Sequence, residues 1–224
     1  MSEAVRAIRA LFPEPVVALT ATEGEDAALH PEEAACIVRA AAKRRREFAA
    51  GRSTARRALA QLGIEGFALL ADADRVPRWP EGVVGSISHC AGCCAVVVAR
   101  RGRILSLGLD VERAEPLEDE LLVRICTPRE LERARALPPP EGIDWGKLVF
   151  SAKESAYKSY FPLARKLLGF QDMEIEFSAD AARFSARLIS EHAPSAAGAR
   201  CFEGRAAWTR ELVFAGVVLE AQPR

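Results

Sequence analysis

The amino-acid sequence predicts an α+β fold of two similar-sized lobes, and three observations carry the prediction. A helical segment followed by a group of short strands occurs twice along the 224 residues. The strands are joined by tight turns such as Ala91-Gly92 and Arg101-Gly102-Arg103, as in hairpins rather than alternating strand–helix units. Half of the residues are hydrophobic, enough for a real core. The lobes are expected to meet at Leu107–Gly108, giving residues 1–108 and 109–224, and no sequence repeat relates the two halves.

Residues 31–62 read as one long helix, bent at Gly51. Pro31 needs no N–H at a helix start, Glu32 and Glu33 suit the positive end of the dipole, and Gly63 suits the stop. Strands are expected at Phe67–Ala71, Val83–His89, Cys93–Arg100 and Leu105–Glu112. In the second half, Thr127-Pro128-Arg129-Glu130 is a capping box, in which the Thr side chain and the Glu carboxylate each satisfy a backbone N–H. Its helix should run to about Leu137, before Pro138-Pro139-Pro140. A helix over Trp145–Tyr160 follows, then strands near Met173–Phe177, Phe184–Ile189, Arg200–Thr209 and Leu212–Leu219.

Charge narrows the function classes. Lys plus Arg equals Asp plus Glu, 31 against 31, so the overall charge points to neither a nucleic-acid nor a membrane-surface protein. Charged residues interrupt every apolar stretch near the N-terminus, and no apolar run approaches the roughly 20 residues that span a bilayer. The expectation is a soluble, cytoplasmic protein. Six cysteines are scattered through the chain. His89-Cys90-x-x-Cys93-Cys94 lacks the second ligand pair that a zinc site needs, and the adjoining Ala-Val-Val-Val at 95–98 marks a buried strand.

Three segments carry chemistry. In Gly108-Leu109-Asp110-Val111-Glu112, strand alternation puts Asp110 and Glu112 on one face, where a hard divalent cation would relieve their repulsion. Taken alone, the segment equally describes a solvated strand end. In Phe150-Ser151-Ala152-Lys153-Glu154-Ser155-Ala156-Tyr157-Lys158, Glu154 and Lys158 are helical neighbours, with Lys153 along an adjacent edge. They read either as a surface ion pair or as a third metal carboxylate with phosphate-binding lysines, a kit for two linked phosphates. In Gly85-Ser86-Ile87-Ser88-His89, Ser88 and His89 close a strand where sites tend to lie. His30 and His192 receive no role. Upstream, Arg44 and Arg52 share one face of a basic helix whose single acid is Glu47, either a phosphate site or a solvated basic face.

Together with Trp79-Pro80, Arg44-Arg45-Arg46-Glu47-Phe48 and Gly51-Arg52, these segments resemble the 4′-phosphopantetheinyl transferase superfamily. The closest type is the monomeric one that activates siderophore and non-ribosomal peptide synthetases. The motifs span residues 44 to 158, about half the chain. Leu109 stands where the family usually has isoleucine, valine or alanine, and Gly198 and Gly204 leave the C-terminal strands less well defined.

The resemblance implies a pseudo-twofold fold of two α/β lobes with coenzyme A in the cleft between them. Asp110, Glu112 and Glu154 would hold Mg²⁺. Lys158 and His89 would contact phosphate oxygens, Arg44 and Arg52 would face the nucleotide end, and Arg75, Ser88 and Lys153 would assist with the same ligand. The implied reaction moves 4′-phosphopantetheine from coenzyme A to a serine of an apo acyl or peptidyl carrier protein, releasing adenosine 3′,5′-bisphosphate. Glu154, directly or through water, or else His89, would take the serine proton. Arg124, Arg129 and Arg133 read either as a rim that receives an acidic carrier or as ordinary solvated arginines. The competing readings are a Mg²⁺-dependent nucleotide phosphohydrolase, an inactive coenzyme A-binding regulator, and a nucleic-acid binder using the basic helix.

Overall fold

The computed structural model describes residues 3–22, 28–138 and 140–221. Two lobes are built alike, each from a 20-residue helix on an antiparallel sheet. In the first, helix α1 (Glu3–Leu11) precedes strand β1 (Val17–Ala21), the short helix α2 (Pro31–Ala35) and the long helix α3 (Ala42–Gln61). Strands β2 (Val83–Cys90) and β3 (Cys93–Arg100) complete a sheet of order β1-β3-β2. The second lobe contains β4 (Ile104–Arg113), helices α4 (Asp119–Ile125), α5 (Pro128–Ala136) and α6 (Trp145–Ala164), and strands β5 (Met173–Phe177), β6 (Arg183–Leu188), β7 (Cys201–Trp208) and β8 (Leu212–Glu220). Its sheet has the order β4-β8-β7-β6-β5.

Apolar alternation sorts the strands into three core regions. β3 is buried on both faces: Ala95, Val97 and Ala99 face β4 and α1, while Cys94, Val96 and Val98 face α3. Cys93 and Cys94 thus lie on opposite faces of one strand as small apolar side chains, and burial pushes the Cys93 thiol up to about 11. In β4, Leu107, Leu109 and Val111 point into the core between the lobes, where Phe214 and α1 meet them. α6 packs on the other face of the second sheet, against Val213, Ala215 and Val217.

The structure departs from the sequence reading in several places. Residues 31–62 are two helices, and the break comes before α3, with Ala41 extended (ψ 153°), rather than at Gly51 inside α3. The cause is tertiary. Glu33 on α2 is fully buried and accepts from Arg56 of α3 (2.6 Å), the Leu69 N–H (2.9 Å) and the His30 N–H (3.0 Å), which docks α2 on α3 instead of continuing it. Residues 67–71 form no strand; only an isolated bridge, Ala71 to Pro77, closes a turn there. The sheets change at Arg101–Arg103, whereas Leu107 and Gly108 lie inside β4. α6 continues through Pro162 to Ala164. The α5 capping box is present, with Thr127 and Glu130 bonding reciprocally, and Pro139 of the proline run lies outside the described residues. No described helix is long and apolar enough to cross a membrane.

Candidate active site

The two sheets are joined along β2 and β4 by side chains. Ser86 and Ser88 alternate onto one face of β2, and their hydroxyls accept the Leu109 N–H (3.1 Å) and the Val111 N–H (3.2 Å) of β4. This stitching explains why serine recurs at every second position of Gly85-Ser86-Ile87-Ser88. Gly108 has an equally specific reason: a Cβ there would lie 1.8 Å from the Ser155 carbonyl oxygen, so only glycine lets α6 cross β4 this closely. That crossing brings Glu154 and Lys158 beside Asp110.

A cleft of about 1400 Å³ opens between the lobes at this junction. It is lined by Arg44, Arg52, Arg75, Ser88, His89, Asp110, Glu112, Glu154 and Lys158, which is every predicted site residue except Lys153. At its centre Lys158 Nζ lies 2.7 Å from Asp110 Oδ1 and 3.0 Å from Ser88 Oγ, and the Ser88 hydroxyl donates to the same Asp110 oxygen at 3.0 Å. Asp110 is 2% exposed, yet its Oδ2 has no hydrogen-bond partner among the described residues. Burial, with the charge of Asp110, pushes Glu112 up to about 7. Glu154 is raised above the ordinary carboxylate range for the same two reasons.

Three crowded carboxylates with one orphaned buried oxygen are short of positive charge, and a hard divalent cation fits that donor set. The described residues contain no cluster of three or more His, Cys, Asp or Glu already gathered for a metal; Lys158 supplies the cation at Asp110 instead.

The cationic wall comes from the first lobe. Arg44 Nη1 donates to His89 Nε2 at 2.9 Å, and Glu47 lies against both, 3.6 Å from Arg44 and 3.4 Å from His89. Arg52 is buried over the Phe48 ring, 4.2 Å from its centroid, and its Nε has no hydrogen-bond partner among the described residues. Burial lowers its pKa, as for a cation short of a counter-charge. Arg75 sits in a left-handed conformation (φ 66°) at the tip of the turn that Ala71 and Pro77 close.

Lys153, expected to assist at the ligand, lies outside the cleft. It is 2% exposed and faces the interior of its lobe, with Nζ on Glu130 Oε2 (2.7 Å) and on the carbonyls of Ile125 and Phe170 (both 2.8 Å). One residue is about 100° of helix, so the face that presents Glu154 and Lys158 to the cleft turns Lys153 beneath α4 and α5. Arg129 and Arg133, read either as a docking rim or as solvated arginines, pair with Glu174 and Glu176 of β5. Two contributors were not singled out from sequence: Glu47, legible only as the lone acid among arginines, and Lys147, 3.8 Å from Glu112. Nothing in the pattern around Lys147 distinguishes it from a surface lysine.

Comparison with known proteins points to one family. Residues 32–99 match the model of the 4′-phosphopantetheinyl transferase N-terminal domain, and residues 106–211 that of the 4′-phosphopantetheinyl transferase superfamily. The chain is 41% identical over 196 residues to the 4′-phosphopantetheinyl transferase Svp of Streptomyces mobaraensis, covering 86% of this chain and 79% of that one. It is also 41% identical to the 4′-phosphopantetheinyl transferase PptT of Mycobacterium tuberculosis, over 71% of this chain and 70% of that one. Enterobactin synthase component D of Salmonella typhi is 35% identical over 66% of this chain and 60% of its own length.

Proposed function

The chain belongs to the 4′-phosphopantetheinyl transferase superfamily and is an enzyme of that class, and from this premise we propose that it moves 4′-phosphopantetheine from coenzyme A to a serine hydroxyl of an apo carrier protein, with Mg²⁺, releasing adenosine 3′,5′-bisphosphate. The likeness to enterobactin synthase component D favours carrier domains of peptide or siderophore synthetases as the acceptor. The observation that carries the reading is the division of the cleft. Arg44, Arg52 and Arg75 make one wall cationic, with His89 beside Arg44, and the carboxylates Asp110, Glu112 and Glu154 with Lys158 occupy the junction of β4 and α6. A diphosphate that carries a nucleotide on one side and a reactive arm on the other needs both.

In this reading Asp110, Glu112 and Glu154 hold Mg²⁺, which when bound supplies charge neutralisation for the diphosphate. Arg52 and Arg75 hold the nucleotide end, and Arg44 and His89 hold phosphate oxygens. Lys158, already anchored between Ser88 and Asp110, donates to oxygens on which charge grows as the phosphorus–oxygen bond to the leaving nucleotide breaks. Glu154 accepts the proton of the attacking serine, directly or through water, and His89 is the alternative acceptor.

The test is the intact mass of an apo carrier protein incubated with this chain, coenzyme A and Mg²⁺. A gain of one phosphopantetheine, lost on adding EDTA, supports the proposal. Breakdown of coenzyme A without a carrier, and no gain on peptide, polyketide or fatty-acid carriers, would identify a phosphohydrolase instead.

A further inference from the structure

The segment that presents Arg75 belongs to the first lobe but is fastened to the second. Asp72 organises the turn: its Oδ1 accepts the N–H groups of Asp74 (3.0 Å) and Val76 (2.9 Å), and its own N–H donates to the Val76 carbonyl (2.9 Å). Its other oxygen, Oδ2, lies 2.5 Å from Nη1 of Arg165, which follows the last turn of α6, and Asp74 is 3.4 Å from the same nitrogen. Val76 packs against the apolar core of the second lobe. Arg165 is itself held in place: it caps α6 in a left-handed conformation (φ 51°), its N–H donates to the Phe161 carbonyl at 2.9 Å, and its guanidinium lies 5.9 Å from the Phe161 ring centre. Arg165 lines the cleft, as do Asp74 and Arg75 of the turn.

We propose that Arg165 is a positioning residue that clasps the 71–77 turn across the cleft and thereby holds Arg75 ready for the nucleotide end of coenzyme A. The inference rests on the reading of the cleft as the coenzyme A site. Arg165 acts through Asp72 and touches no reacting atom. The pair joins residues of different lobes, so it sets the cleft width at the end where Arg75 projects. Arg165 is 47% exposed and Asp72 16%, so the clasp is a bias on the turn's position rather than a lock.

The test is a double-mutant cycle read as coenzyme A affinity by titration calorimetry, with turnover measured alongside. Arg165→Gly removes the guanidinium while suiting the left-handed cap, and Arg75→Asn removes the proposed contact at a position with positive φ. Arg165→Gly is expected to raise Kd and KM for coenzyme A about three- to fivefold with kcat within about twofold, the size of an exposed ion pair acting on a binding-competent fraction. The double variant should bind no more weakly than Arg75→Asn alone, because Arg165 works through Arg75. Arg165→Lys should recover part of the loss. An unchanged Kd for Arg165→Gly, or effects that multiply in the double variant, would overturn the clasp. Wild-type protein that fails to bind coenzyme A at all would overturn the reading beneath it, a separate outcome seen in the first titration.

Discussion

Two lysine–carboxylate pairs leave helix α6 on different faces, and both have the same length. Lys153 meets Glu130 at 2.7 Å, and Lys158 meets Asp110 at 2.7 Å. The pairs differ in what remains unsatisfied. Glu130 Oε2 also accepts the Thr127 N–H (2.6 Å) and Oε1 accepts the Ile175 N–H (2.6 Å), while Lys153 adds two carbonyls. Among the described residues Asp110 accepts only at Oδ1, and its buried Oδ2 has no partner. A complete set of partners marks a structural joint, here tying α5 and β5 to α6. An incomplete set in a cleft marks a place that awaits a ligand.

The contrast can be broken by variants with opposite readouts. Lys153→Ala should have the largest effect on the folded state, about 3–5 kcal/mol in chemical denaturation, because it leaves Glu130 buried without its cation. Asp110→Asn keeps the side-chain shape and leaves Lys158, 27% exposed, within reach of solvent, so the thermal midpoint should fall less than in Lys153→Ala while transfer drops at least about 10²-fold. If instead Asp110→Asn unfolds the protein and Lys153→Ala leaves the midpoint unchanged, the two assignments are reversed. Arg52→Ala, which gives up the contact with the Phe48 ring, should weaken coenzyme A binding about tenfold to a hundredfold in a calorimetric titration and lower the midpoint less than Lys153→Ala does.

The smallest expected effect is on pH dependence. Glu112 is raised from its ordinary 4.5 to about 7, chiefly by burial and then by Asp110. Between those values the folded protein binds more protons at this site than the unfolded chain, so metal-free stability falls as pH rises through this window. Thermal midpoints at pH 5 and pH 8 should show that slope. Glu112→Gln should flatten it, and added Mg²⁺ should restore stability at pH 8. A midpoint insensitive to pH in wild type, or a slope unchanged in Glu112→Gln, would show that Glu112 ionises freely.

Legibility in the sequence followed the range of the interaction. Strand alternation placed Asp110 and Glu112 on one face and Val111 on the other, and helical spacing paired Glu154 with Lys158; both are local geometry. The same spacing put Lys153 on an adjacent edge without revealing what lay there, because Glu130, Ile125 and Phe170 arrive from other elements. The break before α3 was hidden for the same reason, since it depends on Glu33 meeting Arg56 and Leu69. Helix α1 and strand β1 went unread; they are short elements whose burial comes from packing against the rest of the chain. Gly108 was legible as part of a motif, but its cause, contact with the Ser155 carbonyl, is visible only once α6 lies on β4.

The carboxylates at the β4–α6 junction are expected to carry the transfer. The most direct test is the single-turnover rate of holo-carrier formation, read by intact mass, for wild type and Glu154→Gln at equal folded concentration and saturating coenzyme A and Mg²⁺. Wild type should convert the carrier, and the variant should do so at a rate lower by at least about 10²-fold. Conversion by Glu154→Gln at the wild-type rate would contradict that role for the carboxylates.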